Sequence, residues 1–308
     1  MKKYFVMSDI HSFYNQMISA LNESGFDKDN PEHILIVCGD LFDRGSQTME
    51  VYDFIRSLPD DRCILVQGNH ELLYFELLEK SFPESHDFSN GTVSTFCHIA
   101  GYDPKCLSMA DIIFDLQAKG KNVTPAEVQI LIQNNWNKIK KAVIKSDVTK
   151  WLRSDRWVNY YELGNLIFVH SFLPTQLKES DVNSLFKYYP AYSMPEDWLE
   201  IVPDWRNSAT QPQWDDAKWG CPWKQFNAGL FNSEMNQGKV LVCGHWHASD
   251  FHRKFEADRS NNLNIFYSDA LIALDACTAA SGFCNVLVLD FESGLCYDQR
   301  HKILGGLK

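Results

Sequence analysis

Five groups of aspartate, histidine and asparagine side chains follow apolar runs in this sequence. The densest group, Asp40 and Asp43 with Arg44, lies in a glycine-flanked loop directly after the apolar run 34–38. The other four groups, in chain order, are Asp9 with His11, Asn69 with His70, His170, and His245 with His247. Carboxylate, imidazole and carboxamide ligands together suit Mn, Fe or Zn better than Ca or Mg, which prefer oxygen ligands alone. The residue types therefore predict a site for one of these metals.

Each group lies just beyond the end of a predicted strand. Short, continuous apolar runs predict buried strands at 3–7, 34–38, 63–67, 166–169 and 239–243. Amphipathic helices are predicted after the first two strands, ending near Gly25 and Pro59. Strands that alternate with helices favour a layered α/β sheet, and such sheets bind ligands at the carboxyl ends of their strands. One Asp-x-His pair would be weak evidence, but five groups at strand ends predict one common site.

Two stretches interrupt this pattern. Residues 82–162 are mostly helical and more polar, with a capping box at Thr124-Pro125-Ala126-Glu127, and we interpret them as an inserted helical cap. Residues 174–227 form an irregular insertion rich in Trp and Tyr, which either pack under a long loop or form a wall that faces the substrate. The tail alternates short apolar runs with turns from residue 263 onward, and we expect it to form an antiparallel second sheet. Residues 1–308 are expected to form a single domain.

The composition narrows the class of partner. A net charge of −11 argues against a broad basic surface for duplex nucleic acid. No run approaches the roughly eighteen apolar residues of a membrane span, and the run after Met-Lys-Lys breaks at Ser8-Asp9, so neither a span nor a signal peptide is expected. Nine cysteines without regular spacing indicate reduced thiols and a cytoplasmic protein.

The five groups together resemble the motifs of a known family. They read Asp9-x-His11, Gly39-Asp40-x-x-Asp43-Arg44-Gly45, Gly68-Asn69-His70-Glu71, Val169-His170 and Gly244-His245-x-His247. This set is similar to that of the calcineurin-like metallophosphoesterase superfamily. The Asp-Arg-Gly and Asn-His-Glu forms most resemble the phosphoprotein (Ser/Thr) phosphatase branch and its relatives, the symmetrical diadenosine tetraphosphatases, whereas a second histidine in the last motif is more typical of the wider superfamily. The resemblance implies a four-layer α/β/β/α fold, in which helices flank a two-sheet β-sandwich core, here with a helical insertion.

The resemblance also implies a centre of two divalent metal ions, with Mn as the first choice and Fe or Zn as alternatives. Asp9, His11 and His247 would bind the first ion, and Asn69, His170 and His245 the second. Asp40 would bridge both, since a carboxylate offers two oxygens and an imidazole does not. Two such ions about 3.5–4 Å apart can hold both the attacking and the leaving oxygen of an in-line displacement.

Three further residues would act on the phosphate. The planar guanidinium of Arg44 can hold two phosphate oxygens, the alternative being a surface arginine paired with Asp43. By resemblance His70 would be the general acid, oriented by Asp43, the alternative being a metal ligand or a buried polar residue. Glu71 is expected to support the loop rather than to bind metal. Arg206 and Lys224 are candidates for a second basic contact, although each is better explained as a solvated charge.

We therefore expect a dinuclear metallophosphatase that hydrolyses phosphate monoesters by direct attack of a metal-bound hydroxide. Its expected partner is a phosphorylated substrate, with a Ser/Thr phosphoprotein as the leading class. The alternative is a nucleotide, either a diadenosine polyphosphate or an RNA-end phosphate, because the aromatic insertion could stack a base. A third possibility, of another class, is a metal-binding scaffold without catalysis.

Overall fold

The computed structural model describes residues 2–178, 190–232 and 236–307. Its strands are β1 Lys3–Met7, β2 His33–Cys38, β3 Cys63–Val66, β4 Trp157–Val158, β5 Tyr161–Leu163, β6 Leu166–Phe168, β7 Thr175–Leu177, β8 Leu199–Ile201, β9 Val240–Cys243, β10 Phe266–Tyr267, β11 Leu271–Ala273, β12 Leu287–Asp290, β13 Leu295–Tyr297 and β14 Ile303–Gly306. Its α-helices are α1 Tyr14–Glu23, α2 Thr48–Ser57, α3 Asn69–Glu79, α4 Ser85–Ser89, α5 Thr92–Ala100, α6 Met109–Ala118, α7 Pro125–Lys145, α8 Asp147–Leu152, α9 Trp205–Ser208, α10 Gln211–Ala217, α11 Pro222–Asn227, α12 Ala248–Phe255 and α13 Thr278–Ser281.

Two main sheets carry the five groups of polar side chains. The first has the order β14-β13-β12-β1-β2-β3-β4, and its strands β1, β2, β3 and β4 run parallel. The second has the order β10-β11-β9-β6-β5, and β11, β9 and β6 run parallel. The predicted strands agree with β1, β2, β3, β6 and β9 to within one residue at each end. Because parallel strands end on the same edge, the loops after β1, β2 and β3 lie together, as do those after β6 and β9.

The sheets pack face to face, with helices on both outer faces. Side chains alternate along each strand, so that Val6 of β1 lies in a buried cluster between the sheets while Phe5 points the other way. Phe5 belongs to a cluster that includes Trp136 of α7. On the far side, Leu241 of β9 shares a third cluster with Trp205. This arrangement confirms the predicted two-sheet sandwich flanked by helices.

The prediction that the tail forms an antiparallel second sheet was wrong. The run at 285–291 forms β12, which pairs antiparallel with β1, and β13 and β14 extend the first sheet beyond it. The runs at 263–267 and 271–276 form β10 and β11, which belong to the second sheet, where β11 pairs parallel with β9. The tail therefore completes both sheets instead of making one of its own. Local patterning reveals a strand but not its pairing partner, which is set by contacts far away in sequence.

The two predicted insertions contain more regular structure than expected. Residues 82–162 hold α4 to α8, and α7 begins with the predicted capping box of Thr124 and Glu127. Two strands, β4 and β5, precede the point at which we expected the core to resume. Within 174–227 the described residues form the antiparallel pair β7–β8 and helices α9 to α11, so this stretch is not simply irregular. None of the helices in the described ranges combines the length and hydropathy of a membrane span.

Candidate metal centre

The loops at the strand ends adopt unusual backbone conformations. Asp9, His11, Asp40 and His245 have φ values of 52°, 52°, 58° and 65°, in the left-handed region that residues other than glycine rarely occupy. Backbone hydrogen bonds hold these loops against one another, from Asp9 N to Gly39 O (3.1 Å) and from His11 N to Asp40 O (3.0 Å). Such strained residues persist only where the surrounding structure over-determines them, and they concentrate at functional sites.

Two glycines allow the loops to approach closely. A Cβ added to Gly68 would overlap Asp40 Oδ1, and one added to Gly244 would overlap Asp9 Oδ2. Asp9 Oδ2 also accepts a hydrogen bond from His245 N at 2.9 Å, which ties the first sheet to the second. The glycines of the motifs therefore leave room for carboxylates that come from a different loop.

The structure brings four of the predicted ligands (His11, Asp40, His170 and His245) together with His70, the expected general acid, in two adjoining groups. Ligand atoms of His11, Asp40 and His70 lie within 4.8 Å of one another, and so do those of Asp40, His170 and His245. Asp40 belongs to both groups. Asp9 joins the first group, since its Oδ1 lies 3.9 Å from His11 Nε2. This mixture of imidazole nitrogen and carboxylate oxygen is a donor set that fits Mn, Fe or Zn.

Hydrogen bonds orient two of the imidazoles toward the site. His11 Nδ1 donates to Phe42 O at 2.9 Å, and His170 Nδ1 donates to Cys38 O at 2.8 Å, so each Nε2 carries a free lone pair when the ring is neutral. His170 Nε2 lies 2.8 Å from Asn69 Oδ1, which is also an acceptor. Two acceptors at this distance repel each other unless a positive charge lies beside both. The pair therefore fits a shared cation.

Burial and neighbouring charges favour neutral His11 and His245 and an ionised Asp40, whereas burial raises the pKa of Asp9. Burial, and next the neighbouring His70, lower the pKa of His11 well below its ordinary value. Burial, and next His170, lower the pKa of His245 to about 3. Burial alone would raise the pKa of Asp40, but the surrounding His170, His70 and His11 outweigh it and lower that pKa. Metal ligation requires these same protonation states.

His70, which belongs to the first group, also contacts Asp43 and Arg44. His70 Nδ1 donates to Asp43 Oδ2 at 2.7 Å, and Arg44 Nη2 lies 3.4 Å from His70 Nε2. Burial would lower the pKa of His70, but the Asp40 and Asp43 carboxylates raise it to about 9. Arg44 and Asp43, both in the described part of the chain, form no ion pair within 4.0 Å. The side chain of Arg44 instead extends beside His70.

Glu71 stabilises the central loop through hydrogen bonds to backbone N–H groups. Its carboxylate accepts backbone hydrogen bonds from Asp40 N (3.0 Å), Leu41 N (3.0 Å) and Gly68 N (2.7 Å). Burial raises the pKa of this carboxyl, and the neighbouring Asp40 raises it further. Glu71 thus joins the loop after β2 to the loop after β3.

His247 lies apart from the two groups. Its side chain is 42% exposed, and its Nε2 lies 4.0 Å from Asp275 Oδ2. Asp275 is buried and follows β11, so it occupies a sixth strand end. The sequence interpretation missed it because the run was read as a strand through residue 276. An aspartate two residues beyond the end of β11 was the signal that could have revealed it.

Several other residues near the site belong to no recognisable sequence motif. Lys218 is buried and donates to Gln67 Oε1 (2.7 Å) and Asp215 Oδ1 (2.8 Å). The Trp219 ring contacts His245 edge-on, with centroids 5.9 Å apart, and Tyr192 lies 6.2 Å from Trp219. These contacts place part of the aromatic stretch beside the site.

The two basic candidates for a second phosphate contact are engaged elsewhere. Arg206 pairs with Glu162 at 2.5 Å and lies over the Trp205 ring, and Lys224 is 3.6 Å from Glu196. Trp205, Trp214 and Trp223 are buried in the core, so packing accounts for most of the tryptophans in this stretch. Tyr188 and Tyr189 lie outside the described residues.

Comparison with known proteins assigns the family. The model of the calcineurin-like phosphoesterases matches residues 2–249. The chain belongs to the calcineurin-like phosphoesterase family. This is a family of hydrolases that act on phosphoester bonds, and the match covers all five groups of polar residues.

Individual relatives resemble shorter parts of the chain. A symmetrical bis(5'-nucleosyl)-tetraphosphatase of Buchnera aphidicola is 36% identical over 72 residues, which is 23% of this chain and 24% of the relative. The asymmetrical bis(5'-nucleosyl)-tetraphosphatase PrpE of Bacillus velezensis is 36% identical over 74 residues, 22% of this chain and 30% of the relative. The chain thus spans less than a third of either relative. A cold-active protein-tyrosine phosphatase of a Shewanella species has a TM-score of 0.49 at 13% identity, covering 99% of this chain and 80% of the other.

Proposed function

We propose that this protein hydrolyses phosphate esters at a centre of two divalent metal ions. The observation that supports this most directly is Asp40, whose carboxylate belongs to both groups of ligand atoms. A carboxylate shared in this way can bridge two cations. When bound, the ions would supply Lewis-acid activation of a water molecule and neutralise charge on the phosphate.

The proposed ligands follow from the positions of the side chains. The first ion would be held by Asp9 and His11, with His247 reaching it by a change of its exposed side chain, and the second by Asn69, His170 and His245. The proposed metal is Mn, with Fe and Zn as alternatives, because the donor set mixes nitrogen and oxygen. The proposal includes direct transfer to water without a phosphoenzyme.

The chain's own residues would bind the phosphate and protonate the leaving group. Arg44, with its guanidinium beside His70, would hold phosphate oxygens. His70 would give the proton on Nε2 to the leaving oxygen as its bond to phosphorus breaks. Asp43 would hold the ring through Nδ1 and stabilise its charged form.

Two classes of substrate fit such a centre. A Ser/Thr phosphoprotein is the class expected from the Asp-Arg-Gly and Asn-His-Glu motifs. A nucleotide, such as a dinucleoside polyphosphate, is favoured by Trp219, whose half-buried ring lies against His245 with Tyr192 behind it. Stacking of a base on an aromatic ring contributes about 1–3 kcal/mol. The names of the two bis(5'-nucleosyl)-tetraphosphatase relatives support the same class.

Activity with para-nitrophenyl phosphate tests the reaction itself. The protein should be freed of metal with a chelator, and then assayed alone and with Mn, Fe or Zn. We expect no turnover without metal and restored turnover with at least one of them. Tight binding of two ions per chain without any turnover would instead support the scaffold interpretation.

A competition between substrates tests the class. The kcat/KM for diadenosine tetraphosphate and for a phosphoserine peptide should be measured for the parent protein, Trp219→Ala and Trp219→Phe. If a base stacks on this ring, Trp219→Ala lowers kcat/KM for the dinucleotide about 5- to 150-fold, and Trp219→Phe retains most of it. A parent protein that prefers the phosphopeptide, with no dependence on Trp219, would assign it to the phosphoprotein class.

We also propose one domain for residues 1–308 and a cytoplasmic location. The helices of 82–162 share a buried cluster with β1, which supports one folding unit. All nine cysteines, each in a described range, are free thiols, which fits a reducing compartment. Limited proteolysis that released a stable fragment of 82–162 would contradict the single domain.

A further inference from the structure

The start of helix α5 packs directly on the loop that carries Asp43 and Arg44. Gly91, just before the helix, has φ of 86°, and a Cβ there would overlap the Arg44 backbone nitrogen. The next turn presents Thr92 and Thr95, whose exposed fractions are 1% and 0%. None of the five motifs named above includes Thr92 or Thr95, which come from the segment interpreted as an insertion.

Both threonine hydroxyls donate to the Asp43 carboxylate. Thr95 Oγ1 donates to Asp43 Oδ1 at 2.7 Å, and Thr92 Oγ1 donates to Asp43 Oδ2 at 2.7 Å. Thr95 Oγ1 also accepts the backbone N–H of Asp43 at 3.0 Å. The second oxygen, Oδ2, additionally accepts the Nδ1–H of His70 at 2.7 Å. Each carboxylate oxygen therefore has at least one donor from α5.

These contacts determine the orientation of the carboxylate. Asp43 has φ of 73°, a strained conformation, and Thr95 holds both its backbone and its side chain. A carboxylate with one donor on each oxygen has little freedom to rotate about its Cβ–Cγ bond. The bond to His70 Nδ1 then has a defined direction, and the other ring nitrogen lies 3.4 Å from Arg44 Nη2 and 3.9 Å from Asp40 Oδ2. Hydrogen bonds to a charged group are stronger than those between neutral groups, and these bonds maintain the geometry.

We propose that Thr92 and Thr95 are positioning residues for general-acid catalysis. They hold the Asp43 carboxylate so that His70 can pass its Nε2 proton to the departing oxygen as the P–O bond breaks. This inference rests on the proposed phosphoesterase function. It assigns α5 a role in the chemistry that is distinct from metal binding, because both hydroxyls are bonded to Asp43, which is in neither group of potential metal ligands.

The leaving group separates this role from a structural one. An alkoxide leaving group needs a proton as it departs, whereas 2,4-dinitrophenolate departs without one. A general loss of folding or of metal lowers the rate for both kinds of ester. Loss of the general acid lowers the rate only where the proton is needed, and general-acid catalysis contributes roughly 10²- to 10⁴-fold.

The experiment compares Thr92→Val/Thr95→Val with Thr92→Ser/Thr95→Ser in the metal-loaded protein. Valine keeps the shape and removes the hydroxyl, and serine keeps the hydroxyl. Thr149→Val is the matched control, since the hydroxyl of Thr149 is also buried and hydrogen-bonded, to Tyr74 Oη of α3 and Val143 O of α7. The substrates are glycerol phosphate and 2,4-dinitrophenyl phosphate, and metal content is measured for every variant.

The valine variant should lose about 10- to 100-fold in kcat for glycerol phosphate and less than about 3-fold for the dinitrophenyl ester. The serine variant should recover most of the loss, and Thr149→Val should change both rates equally. Equal losses on both esters in the valine variant, or no loss at all, would overturn the inference. If the double variant does not fold, Thr92→Val alone carries the same test, because Thr92 does not hold the Asp43 backbone. A parent protein that hydrolyses neither ester would contradict the proposed function instead.

Discussion

Replacing Glu71 by Gln tests how strongly one carboxylate organises the central loops. Glu71 Oε2 accepts from Asp40 N and Gly68 N, and Oε1 accepts from Leu41 N. In the variant the amide oxygen can take the place of only one carboxylate oxygen. We expect it to replace Oε2, so that the amide nitrogen faces the Leu41 N–H and leaves that buried donor unsatisfied.

The magnitude follows from these three bonds. An unsatisfied buried N–H costs about 1–3 kcal/mol, and each of the other two bonds weakens by about 1 kcal/mol when its acceptor loses its charge. These losses sum to about 3–5 kcal/mol, and loss of the buried charge, which is disfavoured by burial and by Asp40, offsets part of them, so the free energy of unfolding should fall by at most about 3–5 kcal/mol. With an unfolding entropy of about 2.1 cal/mol/K per residue over 308 residues, the Tm should drop by at most about 5–8 °C.

Metal affinity should fall as well, because Glu71 fixes the backbone that carries the proposed bridging residue. Loss of such a supporting partner commonly weakens metal binding about 10- to 100-fold. The assay is thermal unfolding without metal, followed by titration with Mn. Glu76→Gln, at an exposed position of the same helix, is the control and should change neither quantity. A Glu71→Gln protein with the parent's Tm and the parent's metal affinity would refute the reasoning.

Three further changes have defined outcomes. Arg44→Lys should raise KM for a phosphate monoester about 10-fold, because an ammonium cannot hold two oxygens in one plane. An unchanged KM in steady-state assays would exclude phosphate contact by Arg44. Gly68→Ala should abolish tight Mn binding in calorimetry, because the added Cβ overlaps Asp40 Oδ1. An affinity like the parent's would contradict the close approach of the Asp40 carboxylate to Gly68. Burial lowers the pKa of His33, whose Nδ1 accepts a hydrogen bond from the Asp27 N–H. The unfolded chain therefore binds a proton more readily than the folded protein as the pH falls through about 6.5. In denaturant titrations between about pH 7.5 and 5.5, the free energy of unfolding of the parent should therefore fall more than that of His33→Asn. Parallel pH profiles of the two proteins would argue against this linkage.

The strand ends could be predicted because their signal is local. Each core strand is a continuous apolar run, and the polar residues that matter follow it directly, so the loops with Asp40 and His245 were found without any structure. The rule that ligands bind at the carboxyl ends of parallel strands then brought distant loops together. Asp9 and His245 are 236 positions apart in sequence but share a hydrogen bond.

The remaining features depend on contacts that leave no local pattern. Thr92 and Thr95 look like ordinary residues of an amphipathic helix, and only the packing of α5 shows that they meet Asp43. Lys218 reads as a surface charge until the fold buries it. The position of β12 beside β1 could not be predicted either, since an antiparallel edge and a separate sheet produce the same alternation of short apolar runs.

We propose that loops from two sheets converge to hold a pair of cations on either side of one carboxylate, Asp40. The most direct test is a crystal grown with Mn²⁺ and measured at the Mn absorption edge. We predict two anomalous peaks about 3.5–4 Å apart with Asp40 between them, the first beside Asp9 and His11 and the second beside His170 and His245. Absence of both peaks at saturating Mn²⁺, or peaks that lie away from Asp40, would contradict the account.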